Sequence, residues 1–543
     1  MHFKIKKIKE HKYLYLIENK RFDGKVKQTR QICVGTPQKV YDLLHKNKKL
    51  KIASFAFGKP ASLLKAAEEV GLIQSFNKRI NKKKIEGLTP AQYFMTIIIG
   101  RAEHKYSRNR LKDFFKESIL KFYWSPKYKL NSQNFLNNME KLDEDTIRKI
   151  EMDVATKLIE LGYKPSRLIF DTTNFYTHIQ KGEELPQKAK SKEKRYDKNL
   201  IGLGMTISDD NLPFNSFTYP ANQHDATLFS NTIDIICNRL KEIKIPIEEI
   251  TIVLDRGMLS EDNIKDVLEH MHIVGSLPYS MVKELFSIPL SEYEEKWISN
   301  NDTPIKAHRT SGTYYNEDFT IVIKYNEKTA KKQRNEWERH KEKIFKEVEK
   351  LRKSLDRKGR GRKMTAKGLT NRIVDSIYKQ YRGLFDYSAI EKDGKLDLKF
   401  ELLDYEEKIY QSSMGKTVIF TDDKTTPTRE IVEIYSSRNK IEDDYRWLKN
   451  KLLISLKPVY VRKDNKIRAH VFLCVMGLLL YNYLLLKINK QGFSVLYLSE
   501  ILDKIRIELV SDDLKQAEFV VEELNYESAS VFNKLDLVGY IPN

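Results

Sequence analysis

Residues 166–176 read SRLIFDTTNFY, a short apolar run that ends in the acid Asp171. A second apolar run, EEITIVLDRGM at residues 248–258, ends in the same way at Asp255. Between them, residues 199–220 predict two strands around a turn, and helical patterns lie on both sides of the second run. Strands interspersed with helices, with an acid at the carboxyl end of two strands, predict an α/β domain whose site lies at that edge.

A second pattern lies further along the chain, where residues 435–449 read YSSRNKIEDDYRWLK. An α-helix advances about 100° per residue, so one helix would place Tyr435, Arg438, Glu442 and Lys449 within about 60° of arc. A carboxylate suits a divalent metal, cations suit phosphates, and a phenol can stack on a base or bond a phosphate. The pattern therefore indicates a metal-dependent enzyme acting on a nucleic-acid backbone. The alternative is an amphipathic helix whose charged residues face solvent.

The three acids fit one kind of chemistry when they are considered together. Two-metal phosphodiester chemistry needs carboxylates that converge on ions about 3.5–4 Å apart. Asp171 and Asp255 from strand ends, with Glu442 from a helix, would supply them and serve as both catalytic residues and metal ligands. Oxygen ligands favour two Mg²⁺ ions, and Mn²⁺ is expected to substitute. A phosphatase-type aspartyl nucleophile is disfavoured, because Thr173 stands where that class needs a second acid.

Composition points to a polyanionic partner. The 543 residues predict two to four domains, and 97 Lys+Arg against 75 Asp+Glu give a formal net charge of +22. With 29 Tyr and 25 Phe interleaved among the basic residues, nucleic acid fits better than a membrane. A Lys-rich chain from an AT-rich genome is the competing explanation of the charge.

Cysteine usage and hydropathy predict a cytoplasmic protein that does not span a membrane. The three cysteines are far apart, make no metal-ligand spacing and predict no structural disulfide. The apolar run at residues 471–486 is shorter than a membrane span and contains Asn482, so a buried helix is predicted there.

Basic segments provide further candidate DNA contacts. A β-hairpin is predicted over residues 13–34, with its turn at Asp23-Gly24. The turn 101–112 is rich in Arg and Lys, and the charged helix 327–355 is followed by the basic segment 356–364. The alternative to a DNA contact is a plain helical packing domain for the region around the turn, and a solvated helix with a flexible linker for the charged helix and the segment after it.

The order Asp171, Asp255, then Tyr435-x2-Arg438-x3-Glu442-x6-Lys449 resembles the DDE transposases of bacterial insertion sequences. It is similar to the insertion-sequence-four type, which is marked by a Tyr-Arg-Glu-Lys signature. The segments DTTNFY, VLDRGMLSEDN and TREIVEIYSSRNKIEDDYRWLK carry the resemblance, which extends over about residues 10–490. It implies that Glu442 is the third metal ligand, that Arg438 and Lys449 grip DNA phosphates, and that Tyr435 contacts a phosphate.

The resemblance also implies a division of the chain. The expected fold is a ribonuclease-H-like catalytic core that is interrupted by a β-rich insertion with a charged helix. A basic β-hairpin and a helical N-terminal region precede the core. The expected parts are a basic hairpin region contacting DNA (1–55), a helical DNA-binding region (56–163), the core in two pieces (164–280 and 426–490), the insertion (281–425) and a helical tail (491–543).

The function expected from this resemblance is that of a DNA transposase. It would bind the inverted-repeat ends of its own element, nick them, and use the freed 3′-hydroxyl to attack target DNA, as a homodimer on DNA. Two alternatives remain open: a non-catalytic DNA-binding protein derived from a transposase, and a structure-selective ribonuclease-H-like nuclease.

Overall fold

A computed structural model gives the fold of most of the chain. Three predicted features lie outside the described residues: the turn at Asp23-Gly24, the basic segment 356–364 and the central residues 104–109 of the basic turn. The structure describes residues 1–9, 11–22, 25–45, 51–81, 87–103, 110–125, 130–299, 302–355, 365–392, 395–451, 453–457, 459, 461–511 and 517–542.

The N-terminus forms a small antiparallel sheet. Its strands are β1 (His2–Ile8), β2 (His11–Phe22) and β3 (Lys25–Gly35), in that order, and α1 (Pro37–His45) follows. The predicted hairpin is confirmed as the β2–β3 pair. The strand β1, which was not predicted, pairs with the other edge of β2.

A helical block follows, as predicted. Thr89 caps an almost fully buried helix of this block through a reciprocal pair of hydrogen bonds with Gln92, and Pro90 occupies the first turn. The elements are β4 (Lys51–Ala56), α2 (Gly58–Glu69), α3 (Leu72–Arg79), α4 (Pro90–Ala102), α5 (Leu111–Glu117), α6 (Leu120–Trp124), α7 (Ser132–Met139) and α8 (Glu144–Glu160).

A nine-stranded mixed sheet forms the centre of the protein. Its strand order is β10-β11-β12-β15-β9-β8-β5-β6-β7; β5, β8 and β9 run parallel, and the other neighbours pair antiparallel. In chain order, the elements from the first of these strands to β12 are β5 (Arg167–Thr177), β6 (Asn199–Ser208), β7 (Pro213–Pro220), α9 (Asp225–Glu242), β8 (Thr251–Val253), α10 (Glu261–Leu268), β9 (His272–Ser276), β10 (Glu295–Ile298), β11 (Pro304–Tyr314) and β12 (Glu317–Asn326).

The region predicted as a separate insertion is divided between this sheet and an outer unit. The outer unit has its own apolar core around Trp337 and Tyr381. The stretch after Leu403 is helical, and three acids in its first turn favour a helix N-terminus there. The elements are α11 (Glu327–Leu355), α12 (Ala366–Ser376), β13 (Phe385–Lys392), β14 (Lys395–Leu402), α13 (Asp404–Ser413) and β15 (Lys416–Thr421), of which β15 returns to the central sheet.

The remaining elements complete the core and correct the predicted helical tail. They are α14 (Thr428–Ser436), α15 (Asn439–Lys449), α16 (Asp464–Ile488), α17 (Val495–Asp503), β16 (Arg506–Ser511), β17 (Ala517–Val521) and α18 (Tyr526–Lys534). The tail is not purely helical, because β16 and β17 pair with each other and β16 pairs with β4. Strand β4 lies about 450 residues before β16 in the chain, so no local pattern predicts their pairing.

Alternation along the strands builds two cores on the two faces of the sheet. In β5, Leu168 and Phe170 pack with residues of α9 and α10, whereas Ile169 packs with residues of α14, α15 and α16. The helix α16 is long and apolar enough to cross a membrane, but 83% of its most apolar window is buried inside the protein. Such burial is typical of a core helix, as the sequence predicted.

Candidate active site

The first two acids lie level at one edge of the parallel strands. Ile169 of β5 is the register partner of Val253 of β8. Asp171 comes two residues after Ile169, and Asp255 comes two residues after Val253. Asp171 and Asp255 therefore occupy equivalent positions on adjacent strands. One expectation was wrong: Asp171 does not end its strand, since β5 continues to Thr177 through its antiparallel pairing with β6.

The four signature residues do not lie on one continuous helix, contrary to the sequence prediction. Helix α14 ends at Ser436, and Arg438 is the N-cap of α15. The hydroxyls of Ser436 and Ser437 donate hydrogen bonds to backbone carbonyls of the preceding turn, those of Val432 and Ile434. Such back-bonding bends helices, and here it accompanies the break.

Arg438 links the second acid to the third. Its guanidinium forms an ion pair with Asp255, and its Nη2 lies 3.3 Å from Oε1 of Glu442. The Arg438 side chain is 21% exposed, whereas that of Glu442 is 49% exposed. Burial acts to lower the pKa of Arg438, but the Tyr435 phenol and the surrounding carboxylates raise it above its ordinary value. The carboxylates are therefore held around a permanent cation.

Asp171 is the most enclosed of the three acids. Burial raises the pKa of its carboxyl to about 6, although Lys192 and the backbone N–H of Thr172 act to lower it. The hydroxyl of Tyr445, from α15, donates a hydrogen bond to the backbone carbonyl of Asp171 at 2.5 Å. The helix that carries Glu442 is thereby tied to the strand that carries the first acid.

Tyr435 is turned inward. It is 9% exposed, and its hydroxyl donates to Oγ of Ser276 in β9 at 2.7 Å. The same oxygen accepts a hydrogen bond from Nε of Arg256, and the guanidinium of Arg438 lies 5.4 Å from the Tyr435 ring centre. Tyr435 is thus packed against Arg438 and bonded to β9; the phosphate contact that the sequence suggested for it stays a prediction.

Lys449 lies at the end of α15 and donates to Oγ1 of Thr173, two residues after Asp171. Burial lowers the pKa of Lys449 to about 8, and the neighbouring Lys192 and Lys457 also act to lower it. Three lysines therefore gather on one side of the acids. Positive charge held at this density suits an anionic ligand.

The donor chemistry fits an oxygen-preferring divalent ion. Among the described residues, no three His, Cys, Asp or Glu side chains stand close enough together to hold a metal in this arrangement. The Arg438 guanidinium occupies the space between the carboxylates of Asp255 and Glu442 instead. A cation thus already lies between two of the three acids, so carboxylates and positive charge are compatible at this place.

Comparison with known proteins supplies the family. A family model described as "Transposase DDE domain" matches residues 162–482, more than half of the chain. The chain belongs to this transposase family. The matched range starts just before β5 and ends within α16, so the DDE domain contains all three acids and the whole signature. No curated protein matches the chain.

Membership of the DDE family indicates nuclease or transposition activity with DNA as the substrate class, and DDE transposases generally use divalent metals. Its mixed α/β architecture is compatible with that family.

Several residues around the site of the DDE domain were not identified from the sequence. Tyr445 shares the buried stripe of α15 with Ile441 and Leu448, and a tyrosine within an apolar stripe is the signal that could have marked it. Ser276 carries no local signal, because only folding brings β9 beside α14. Lys192 lies in a loop whose placement the sequence does not indicate.

Proposed function

We propose that the protein is a DNA transposase that binds the inverted-repeat ends of its own element, cleaves strands there and transfers the 3′-hydroxyl ends into target DNA. The observation that carries this proposal is the level placement of Asp171 in β5 and Asp255 just beyond β8, with Glu442 joined to Asp255 through Arg438. Three carboxylates are the kind of donor set that metal-dependent phosphodiester chemistry uses.

The core of this enzyme is, in our proposal, ribonuclease-H-like. The antiparallel run β5–β6–β7, continued on the other side of β5 by the parallel strands β8 and β9, supports this. The outer unit formed by α11 to α13 and the β13–β14 hairpin would be the family insertion, although its neighbouring strands belong to the central sheet.

Asp171, Asp255 and Glu442 would hold two Mg²⁺ ions. When bound, such ions activate the attacking water or hydroxyl and stabilise the leaving oxygen. The protein's own groups prepare the site. Tyr445 fixes the backbone of Asp171, and Arg438, braced by Tyr435, links the other two acids. Arg438 and Lys449 would hold terminal phosphates.

DNA is the proposed partner of the remaining basic surface as well. The β1–β3 sheet exposes most of its side chains, and its Lys and Arg content suits contact with a duplex. Two DNA ends must be held together during transposition, so a homodimer on DNA belongs to the proposal.

The test uses the full-length protein and duplexes taken from the DNA that flanks its reading frame. Imperfect inverted repeats bracketed by a short direct duplication would identify the ends. With Mg²⁺ or Mn²⁺ the protein should cut the end duplex, and chelation of the metal should stop cutting while binding persists. Asp171→Asn should abolish cleavage and retain binding. Asp234→Asn, an exposed acid of α9, is the matched control and should cut normally.

Two outcomes would replace the proposal. Binding of the ends without any metal-dependent cleavage would identify a non-catalytic DNA-binding protein. Efficient cleavage of branched DNA that lacks the repeats would identify a structure-selective nuclease.

A further inference from the structure

The segment between β5 and β6 forms a strongly basic loop. Residues 188–198 read KAKSKEKRYDK and contain six cations against two acids. We call these eleven residues the basic loop. Its lysines at positions 190, 192 and 194 are all exposed.

The basic loop is fastened to the strand that carries the first acid. Asn174 of β5 donates to the carbonyl of Lys190 at 3.0 Å and accepts from the backbone N–H of Lys192 at 3.0 Å. Glu193 accepts from the backbone N–H of Tyr176 at 3.3 Å. The loop therefore follows the half of β5 that lies beyond Asp171.

Contacts with the side chains around the site fasten it further. The ammonium of Lys192 donates to the carbonyl of Thr172, the residue after Asp171. The ring of Tyr176 lies between two cations, with Lys457 at 4.5 Å and Arg195 at 4.7 Å from its centre. The cations of the loop and the lysines beside the acids form one continuous group.

The two acids of the loop are already paired with other cations. Glu193 pairs with Lys457, whereas Asp197 accepts from Nε and Nη2 of Arg195 at 2.9 Å and pairs with Lys198 at 3.6 Å. Within the described residues, Lys190, Lys192 and Lys194 form no ion pair. Uncompensated like charges held close together on an ordered loop repel one another, and a polyanion relieves that repulsion.

We propose that the basic loop binds the phosphodiester backbone of the DNA strand that passes over Asp171, with Lys190 and Lys194 as direct phosphate contacts. This inference rests on the proposed function for the identity of the DNA. The contact is independent of base sequence, because lysine ammonium groups recognise phosphate charge and not base edges. The loop is thus a clamp beside the acids, distinct from the N-terminal basic sheet.

The test measures binding against salt concentration. The full-length protein and its Lys190→Gln/Lys194→Gln variant are titrated onto the end duplex and onto a duplex of random sequence. Each lost phosphate contact lowers the slope of log affinity against log salt by about one, so the slope should fall by about two on both duplexes. Lys241→Gln/Lys265→Gln, which removes two exposed lysines from α9 and α10, should leave the slope as in the wild type. An unchanged slope in the loop variant would overturn the inference.

A crosslinking experiment locates the contact. Lys190→Cys, in a Cys33→Ser background that removes the exposed native thiol, is combined with duplexes carrying a thiol tether on single phosphates. Crosslinks should concentrate on phosphates next to the cleaved end and be absent for Lys265→Cys. A crosslinking pattern equal to that of Lys265→Cys would contradict the placement. If the loop variant keeps the full salt slope while the wild type cleaves the end duplex, the loop inference is wrong and the proposed function stands. If the loop variant shows the reduced slope but the wild type cleaves no DNA, only the proposed function is wrong.

Discussion

Arg438, at the start of α15, forms an ion pair with Asp255, which lies two residues beyond the end of the central strand β8. The same guanidinium reaches Glu442 one turn further along the helix. A single side chain therefore sets the spacing between two acids that come from distant parts of the chain. The consequences of this arrangement can be measured.

Replacement of Arg438 should impair cleavage more than it impairs folding. Arg438→Gln leaves the carboxylates of Asp255 and Glu442 without the cation that organises them, so the cleavage rate should fall by about tenfold or more, as expected for loss of a charge-assisted contact. Arg438→Lys keeps the charge but cannot bridge two carboxylates with a planar fork, so an intermediate rate is expected. The initial rate of strand cleavage is the measurement.

A control for this series lies on the same helix. Arg446 is largely exposed and pairs with Asp443, so Arg446→Gln should cut at the wild-type rate. A wild-type rate for Arg438→Gln would show that the bridge has no role in the reaction.

Tyr445→Phe should lower both stability and activity. It removes the hydroxyl that donates to the carbonyl of Asp171 and keeps the ring, so the free energy of unfolding should drop by about 1 kcal/mol. Cleavage should slow because the backbone of the first acid is less firmly held. Urea denaturation and cleavage rates are the measurements. Tyr405→Phe, at an exposed tyrosine, should change neither, and equal behaviour of the two variants would contradict the bracing role.

Lys449→Ala should weaken binding of DNA ends and reduce its salt dependence. A phosphate contact releases counterions, so its loss should lower the slope of log affinity against log salt by about one. Anisotropy titrations at several salt concentrations provide the measurement. Lys451→Ala, two residues on and exposed, serves as the matched control. A full salt slope in Lys449→Ala would assign this lysine to folding alone, through its bond to Thr173.

Stability should fall in mild acid because of one buried histidine. Burial lowers the pKa of His470 to about 3, and its Nε2 lies 3.0 Å from the carbonyl oxygen of Leu456. In the unfolded chain His470 binds a proton near pH 6.5, whereas in the folded chain it stays neutral down to about pH 3. The contribution of neutral His470 to the free energy of unfolding is therefore complete above pH 6.5 and is lost as the pH falls towards 3. Between pH 6.5 and 5 the free energy of unfolding should decrease by about 2 kcal/mol.

Denaturation of the wild type and of His470→Gln at pH 7 and pH 5 measures this effect. The variant should be less stable at pH 7 but should lose less stability on acidification. His178→Gln, at an exposed histidine, should keep the wild-type pH dependence. Identical pH dependence in His470→Gln and the wild type would remove His470 as the cause.

Much of the fold could be read from short-range patterns. Apolar runs predicted β5 and β8, the pattern at residues 199–220 predicted β6 and β7, and the apolar run at residues 471–486 predicted the buried helix α16. The sequence did not predict that β11 and β12 would join the central sheet or that β16 would pair with β4. Pairing between strands depends on which apolar faces meet, and that choice is made only when the chain collapses.

The same distinction between local pattern and tertiary contact holds at the site. The sequence by itself determined which side chains are available there: an acid at the end of each of two apolar runs, and a helical segment with its glutamate and cations at fixed spacing. Local spacing is preserved on folding because it is set by backbone geometry. Only the tertiary structure decided that the signature helix breaks before Arg438, that this arginine lies between Asp255 and Glu442, and that the basic loop follows β5 past Asp171. Those relationships join residues far apart in the chain, and they depend on packing and charge pairing that no single segment contains.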